Sequence, residues 1–235
     1  MATTYVLIPG AWHGGWAWRP VAERLRASGH RAVALTLPGL GDGADPSDHR
    51  LQDAIDYVVA EVERDNADRV TLVGHSWGGY PMAGAMHRLA SRVAKGIFYN
   101  ALIPVPGRAM VEDTPPQNAQ ILQNLADASP NRTIAPSLGF VQQMFLQDVA
   151  VDAQRLLAEL LTPQPAGYFF DAFDGPDVAT LGIPLTYILS QHDHAMHRPG
   201  TEFASWLGIE PVMVPGTHDS FLTHPDAVAK AILAA

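Results

Sequence analysis

The sequence predicts an α/β protein with a mostly parallel central sheet of about six strands, helices on both faces of the sheet and an inserted helical cap. Two observations support this prediction. Short apolar runs that end at proline, glycine or serine alternate with helical patterns along most of the chain. Between about residues 104 and 180 the alternation stops and only helical patterns remain. We therefore expect a single domain over residues 1–235, with the cap inserted at about 104–180.

The first half of the chain repeats a unit of strand, loop and helix. The run Tyr5–Ile8 is apolar throughout, which is typical of a central strand that is buried on both faces. Pro20 favours the start of a helix that ends at Gly29, because proline is tolerated in the first helical turn and glycine after the last. Apolar residues recur at helical spacing from Leu51 onward. Further strands are predicted at Arg31–Leu37 and Arg69–Val73.

The second half of the chain continues this pattern on either side of the predicted cap. Strands are predicted at Val93–Tyr99, Leu185–Leu189 and Pro211–Val214, and Pro225 begins a final helix. Prolines divide the cap into segments with apolar residues at helical spacing, so we expect helices that cover the ends of the strands. The apolar stripes are Ile121, Leu122 and Leu125; Val141, Met144 and Phe145; and Leu156, Leu157, Leu160 and Leu161.

Composition and charge exclude several classes of protein. The 235 residues are 47% apolar and 17% charged, as in an ordinary globular domain, and no apolar run approaches the roughly 18 residues of a membrane span. The formal charge of −9, with only 15 Lys and Arg residues, argues against a nucleic-acid partner. The chain has no cysteine, which excludes disulfides and thiolate metal sites. Because Met1–Thr4 lacks the basic start of a signal peptide, we expect a cytoplasmic location.

The segment Gly74-His75-Ser76-Trp77-Gly78 is the most informative motif of the chain. It follows a β-branched strand directly, and the residues after it can continue as a buried helix. A serine between two glycines at such a strand-to-helix turn is typical of an exposed nucleophile. The turn requires a strained backbone at Ser76, and glycines at its edges allow the close approach of other backbone segments. We therefore predict that Ser76 is a catalytic nucleophile.

A serine nucleophile needs an imidazole to accept its proton and a carboxylate to orient that imidazole. In this type of fold the partners follow the serine in the order aspartate, then histidine. Asp193 follows the strand that ends near Leu189, and His218 follows the strand that ends at Val214. Both residues therefore lie in loops at the carboxyl edge of the predicted sheet, where Ser76 also emerges. The sequence predicts a triad of Ser76, Asp193 and His218.

Two backbone N–H groups are candidates to bind the negative charge that develops during acyl transfer. One belongs to Trp77, directly after the nucleophile, and the other to Ala11, in the glycine-rich loop after the first strand. A cluster of His192, Asp193, His194 and His197 could suggest a metal site. It lacks the spacing and the separate elements of a typical zinc site, so we expect neither a metal nor a cofactor.

These motifs together resemble the α/β-hydrolase superfamily, and within it the group of plant methyl-ester esterases, the salicylate-binding esterase and the plant hydroxynitrile lyases. The resemblance rests on Leu7–Trp16, on the elbow Gly74–Gly79 and on His218 with Pro225 seven positions later. It implies the α/β-hydrolase fold, the catalytic roles of Ser76, Asp193 and His218, and oxyanion donation by Ala11 and Trp77.

Two positions separate the esterases of this group from its lyases. In the group that this chain resembles, the lyases carry a threonine in the first loop and a lysine after the catalytic histidine. This chain has Gly10 and Asp219 at those positions. This difference favours ester hydrolysis. We also expect Gly10, Asp219, Trp12, Phe145 and Phe169 to line the substrate pocket, although core packing is an equally good role for each cap aromatic alone.

The sequence therefore predicts a serine hydrolase that cleaves a carboxylic ester of a small, largely apolar molecule through an acyl-enzyme. A lyase or lactonase on the same scaffold is one alternative, since a fold does not fix the reaction. A small-molecule receptor that retains the triad is another. The expected partner is a small-molecule ester, without nucleic acid or membrane, and the expected assembly is a monomer or homodimer.

Overall fold

A computed structural model describes residues 2–235. Six parallel strands form one sheet in the order β2-β1-β3-β4-β7-β8, and β5 pairs with β6 in a separate antiparallel ribbon. The strands are β1 Thr4–Ile8, β2 Arg31–Ala34, β3 Val70–His75, β4 Val93–Tyr99, β5 Thr133–Ile134, β6 Gln164–Pro165, β7 Leu185–Ser190 and β8 Val212–Val214. The predicted fold class is confirmed, with β2 ending earlier than expected.

Residues 2–235 form eleven helices, some of which pack on the two faces of the six-stranded sheet while others belong to the segment between β4 and β7. They are α1 Arg19–Ala27, α2 Leu51–Arg64, α3 Gly79–Arg88, α4 Met110–Asp113, α5 Pro116–Ala128, α6 Leu138–Phe140, α7 Val151–Leu160, α8 Gly167–Phe170, α9 Gly200–Trp206, α10 Ser220–Thr223 and α11 Pro225–Ala234. Val141–Phe145 continues α6 as a π-helix. Short 3₁₀ turns occur at Gly15–Trp18, Ser76–Gly78, Ala90–Arg92 and Val178–Thr180. No helix within residues 2–235 has both the length and the apolar character that crossing a membrane requires.

Two apolar cores lie on opposite faces of the sheet. On one face α1 packs against α11, and on the other α2 packs against α3. The strands β1 and β3 are buried along their whole length, which explains why their sequences are continuous apolar runs rather than alternating patterns. Helix α1 buries Val21, Ala22 and Leu25 on one side and begins with a proline in its first turn.

The segment between β4 and β7 contains α4 to α8 and the small ribbon of β5 and β6. The sequence predicted helices alone here. The ribbon was missed because each of its strands is two residues long, too short to produce an alternating pattern. Its residues contact the loop after β1, since the Trp12 indole Nε1 donates to the Ile134 carbonyl at 2.7 Å and Trp12 N donates to Gln164 Oε1 at 2.8 Å.

The register of the sheet brings the functional loops to one edge. Ile8 of β1 is paired with Gly74 of β3, and His75 is paired with Tyr99 of β4. Ser190 of β7 is paired with Val214 of β8. Because all these strands are parallel, the segments that follow them leave the sheet on the same side.

Candidate active site

Ser76 lies directly after β3 in a left-handed backbone conformation, with a φ of +52°. Residues with a Cβ rarely adopt this conformation, and it persists only where surrounding contacts hold it. The following 3₁₀ turn leads into α3, so the residue occupies the strand-to-helix elbow that the sequence predicts. Ser76 is partly exposed, which leaves its side chain accessible.

Glycine is required at Gly78 by close packing of the elbow against a neighbouring loop. A Cβ added to Gly78 would lie 2.5 Å from the carbonyl oxygen of Pro9. Gly10, in the same loop, has equally little room, since its Cβ would lie 2.9 Å from both the Cβ of Ser76 and Nδ1 of His75. The loop after β1 therefore lies directly against the elbow, and this places Ala11 and Trp77 on adjoining segments.

Asp193 and His218 form a buried hydrogen-bonded pair in the loops after β7 and β8. His218 Nδ1 is 3.0 Å from Asp193 Oδ1, and each side chain is 1% exposed. A carboxylate accepts, so Nδ1 donates to it and Nε2 is left as the basic atom of a neutral ring. The same Asp193 oxygen also accepts from Ala195 N at 2.9 Å. The structure thus brings together two residues that the sequence predicted from chain order.

The environment raises the pKa of His218 above its ordinary value. Burial, the largest single influence, lowers this pKa because it disfavours the charged ring, but the charge and hydrogen bond of Asp193 together outweigh it. The carboxylate of Asp219 adds a smaller effect in the same direction. Asp193 therefore both orients the ring of His218 and stabilises its protonated form.

Nε2 of His218 is buried and has no hydrogen-bond partner within residues 2–235. The contact to Ser76 that proton transfer needs is thus not formed in this structure. Such contacts are often long in substrate-free enzymes and shorten when the substrate binds. The phenyl ring of Phe145 stacks on His218 with a centroid distance of 5.2 Å and an interplanar angle of 19°.

Three of the predicted pocket residues form one aromatic cluster. The Trp12 ring lies 5.9 Å from the ring of Phe145 and 5.8 Å from that of Phe169, measured between centroids. Phe140 also contacts Trp12, at 5.6 Å. All three predicted residues are at most 9% exposed, so the cluster packs the segment between β4 and β7 onto the loop after β1, beside His218.

Asp219 requires a correction, because its carboxylate does not face an open pocket as predicted. The residue is fully buried, and its Oδ2 lies 3.1 Å from Nε2 of His13. Its Oδ1 lies 3.7 Å from Nε2 of His75. The sequence places Asp219 beside the catalytic histidine, but neighbouring positions in a loop do not determine the direction of a side chain.

Asn100 and His75 are two residues near the site whose roles the sequence did not reveal. Asn100 follows β4 with a φ of +44° and donates from Nδ2 to Ser190 Oγ and to the His218 carbonyl, both at 2.8 Å. It thereby ties together the loops that carry Asp193 and His218. Burial lowers the pKa of His75 well below its ordinary value, with help from the neighbouring His218 and His13, so its ring is neutral. For Asn100 the sequence did contain an indication, because an asparagine directly after a strand tolerates a left-handed backbone conformation.

The structure also contains a group of possible metal ligands and a groove outside the site. His75, His218 and Asp219 have ligand atoms within 4.8 Å of one another. Nε2 of His75 already lies 3.2 Å from the His218 carbonyl, and Oδ2 of Asp219 lies 3.1 Å from Nε2 of His13. In the predicted histidine cluster after β7, His197 instead contacts Asp113 at 3.0 Å. A groove of about 400 Å³ lies between residues 48–50, which precede α2, and helix α8, and it is bordered by the ion pair of Arg50 with Asp171. The groove contains none of the predicted site residues, so we do not assign the active site to it.

Comparison with known proteins identifies the family. A profile described as "Alpha/beta hydrolase family" matches residues 5–231. The chain is 26% identical to Methylesterase 18 of Arabidopsis thaliana over 98% of its own length and 96% of that protein. It is 26% identical to salicylic acid-binding protein 2 of Nicotiana tabacum over 97% of its own length and 95% of that protein. A carbendazim-hydrolyzing esterase of a Nocardioides species is 37% identical over 109 residues, and this match spans 45% of that relative.

Solved structures support the same architecture. An extracellular α/β-hydrolase from a Paenibacillus species has a TM-score of 0.92 at 24% identity and covers 99% of this chain and 98% of its own. A methylesterase of Arabidopsis has a TM-score of 0.78 at 18% identity, with coverage of 99% and 98%. At these identities the structural similarity establishes the fold.

Proposed function

The chain belongs to the alpha/beta hydrolase family, and on that basis we propose that it is a serine esterase with Ser76 as nucleophile, His218 as general base and Asp193 as the orienting carboxylate. The observation that carries the proposal is the buried hydrogen bond between Asp193 and His218, 3.0 Å long, at the sheet edge where Ser76 leaves β3. This bond directs the basic Nε2 of His218 away from Asp193. Several relatives with similar sequences are named as esterases, which favours the same type of reaction.

The proposed reaction has two steps. His218 Nε2 accepts the proton of Ser76 Oγ as the oxygen attacks the ester carbonyl, and the N–H groups of Ala11 and Trp77 bind the negative charge on the carbonyl oxygen. The alcohol leaves with the proton from His218. A water molecule then gives one proton to His218 Nε2 as its oxygen attacks the acyl carbonyl, and the bond between the acyl carbon and Ser76 Oγ breaks as His218 returns that proton to Oγ, which releases the acid and restores both residues.

The surroundings of the triad support a small, largely apolar ester as substrate. Phe145 stacks on His218, and Trp12 extends this aromatic surface from Phe145 to Phe169. At the position where the lyases of this group carry a lysine, Asp219 is held by His13 instead of facing the substrate. Gly10, at the lyase threonine position, has no space for a larger side chain unless Ser76 or His75 moves. These features favour ester hydrolysis over cyanohydrin cleavage.

Labelling of Ser76 tests the proposal directly. A serine-directed fluorophosphonate should modify the protein at Ser76 alone, because only this hydroxyl combines the elbow with a neighbouring imidazole base. Peptide mapping by mass spectrometry would locate the adduct. The same preparation should hydrolyse p-nitrophenyl and methyl esters of small acids, whereas Ser76→Ala should lose both activities. Adduct formation elsewhere, or faster cleavage of mandelonitrile or a lactone than of any simple ester at equal concentration, would contradict the proposal.

A further inference from the structure

A buried cluster of three polar side chains next to the candidate active site has no role in the proposed reaction. His13, His75 and Asp219 are each at most 1% exposed. They come from the loop after β1, the end of β3 and the loop after β8, the segments that carry the proposed oxyanion donor, nucleophile and base. Burying a carboxylate is costly unless it is hydrogen-bonded, so this arrangement calls for a structural or catalytic reason.

The contacts of His13 determine where its protons lie. Nδ1 is 2.7 Å from the carbonyl oxygen of Ala11, which can only accept, so Nδ1 carries a proton. Nε2 is 3.1 Å from Oδ2 of Asp219, and this contact needs one more proton, on Nε2 or on the carboxyl group. An apolar residue in place of Asp219 would leave Nε2 buried without a partner.

His13 holds one end of a peptide group that is also held at its other end. The peptide between Ala11 and Trp12 is bonded through its oxygen to His13 and through its nitrogen to Gln164 Oε1, at 2.8 Å. Trp12 has a φ of +67°, a conformation that such contacts must maintain in a residue with a Cβ. The N–H of Ala11 belongs to the preceding peptide group, whose Gly10 carbonyl accepts from His13 N at 3.3 Å. Both peptide groups that meet at Ala11 are therefore held by His13, and its position influences the direction of the Ala11 N–H.

We propose that Asp219, acting through His13, is a positioning residue that aims the N–H of Ala11 at the developing oxyanion. The inference rests on the proposed function, because it requires an acyl-transfer transition state. Asp219 itself does not touch the substrate, and its effect is on turnover rather than on substrate binding. Preorganised donors act on the charge that exists only in the transition state, so a misdirected donor lowers kcat more than it raises KM.

Two substitutions of Asp219 that differ in hydrogen-bonding capacity test the proposal. Asp219→Leu should lower kcat for p-nitrophenyl acetate by about 10-fold or more, with KM changed by less than about 3-fold, since complete loss of one donor costs roughly 10²- to 10³-fold. Asp219→Asn should remain within about 3-fold of the wild-type kcat, because its amide can donate to Nε2 while Nδ1–H stays on the Ala11 carbonyl. His13→Leu should resemble Asp219→Leu, and the double variant should be no slower than the slower single variant.

Thr71→Val provides a matched control for the loss of a buried polar group, because Thr71 is 5% exposed and lies at the opposite end of β3 from Ser76. It should leave kcat unchanged even if it lowers the melting temperature. The proposal is wrong if Asp219→Leu retains wild-type kcat, if Asp219→Asn and Asp219→Leu lose activity equally, or if the His13 and Asp219 effects are additive.

The ring nitrogens of His13 provide a test that does not depend on activity or on the folding of a variant. Nitrogen-15 NMR of the wild-type protein should show a proton on Nδ1 of His13 at neutral pH. A bare Nδ1 would overturn the positioning pair. If the wild type neither hydrolyses an ester nor reacts with the fluorophosphonate, the proposed function fails, whereas the state of Nδ1 still decides whether the pair exists as described.

Discussion

Asp193 controls both the orientation and the protonation of His218. Its carboxylate accepts from Nδ1 at 3.0 Å, and it raises the pKa of a ring whose burial alone would lower that pKa. In the proposed mechanism His218 must be neutral to accept the serine proton. Activity should therefore be limited at low pH by a group that titrates above the ordinary histidine value of about 6.5.

Replacing Asp193 by Asn should reduce kcat and also change its pH dependence. The loss should reach about 10⁴-fold if it follows the serine protease precedent, because the amide favours the wrong tautomer of the imidazole. Without the carboxylate, the pKa of His218 should fall, so the rise of kcat/KM with pH should move to lower pH. The pH profiles of the two proteins measure both effects. Asp174→Asn, at an exposed carboxylate, is the control, and an unchanged profile for Asp193→Asn would mean that another carboxylate serves His218.

Chain order suggests candidate residues, but it does not indicate the direction of their side chains. Ser76, Asp193 and His218 follow from an elbow motif and from placement after strands, both of which are properties of chain order. The inward direction of Asp219 depends on His13, which is 206 positions away in sequence. No local pattern indicates such a contact, so the sequence led us to place Asp219 in the pocket.

The same distinction holds at the level of secondary structure elements. The strands of the sheet were predicted because buried parallel strands are continuous apolar runs between turn residues. The stripes in the segment between β4 and β7 were recognised, but they did not predict burial: Ile121 is 55% and Leu156 57% exposed. A stripe at helical spacing identifies an apolar face, whereas burial also requires a partner surface that the sequence does not specify.

The π-helical turn Val141–Phe145 places an aromatic ring against His218 of the candidate site. Its last residue, Phe145, stacks on His218, and the carbonyl of Phe145 accepts from Thr217 Oγ1 at 2.8 Å and from Asp219 N at 3.2 Å. A π-turn directs side chains differently from an α-helix and often occurs at functional sites. The ring of Phe145 should therefore both stabilise the fold and restrict the access of water to His218.

Phe145→Ala should lower the free energy of unfolding by about 3–5 kcal/mol, the usual effect of removing a buried phenyl ring. It should also lower kcat/KM, because the ring no longer packs on His218. Urea unfolding and ester hydrolysis measure the two effects. Phe203→Ala, at a fully buried phenylalanine of α9, should lose stability without a comparable loss of kcat/KM once folded. Equal losses of kcat/KM in the two variants would assign Phe145 a packing role alone.

For the molecule as a whole, the buried histidines His75 and His218 should make the free energy of unfolding depend on pH. His75 is fully buried and its pKa is lowered well below the ordinary value, chiefly by burial. In the unfolded chain the same ring takes up a proton below about pH 6.5. Between pH 6.5 and about 5 the unfolded state therefore binds a proton that the native state excludes, and the free energy of unfolding should fall as the pH falls. His218 acts in the opposite sense, because its raised pKa contributes stability that is full below the unfolded value and is lost as the pH rises through the folded value.

Replacing His75 by Gln should remove the acid-side loss that this ring causes. One excluded proton changes the free energy of unfolding by up to about 1.4 kcal/mol per pH unit, so the slope between pH 5 and 6.5 should decrease by about this amount in the variant. The glutamine amide can still donate to the carbonyl of His218, the group that lies 3.2 Å from Nε2 of His75. Urea unfolding at several pH values gives the slopes for both proteins. If the variant does not fold, an NMR titration of the wild-type His75 ring replaces the comparison, and protonation of that ring above pH 6 in the native protein would refute the prediction.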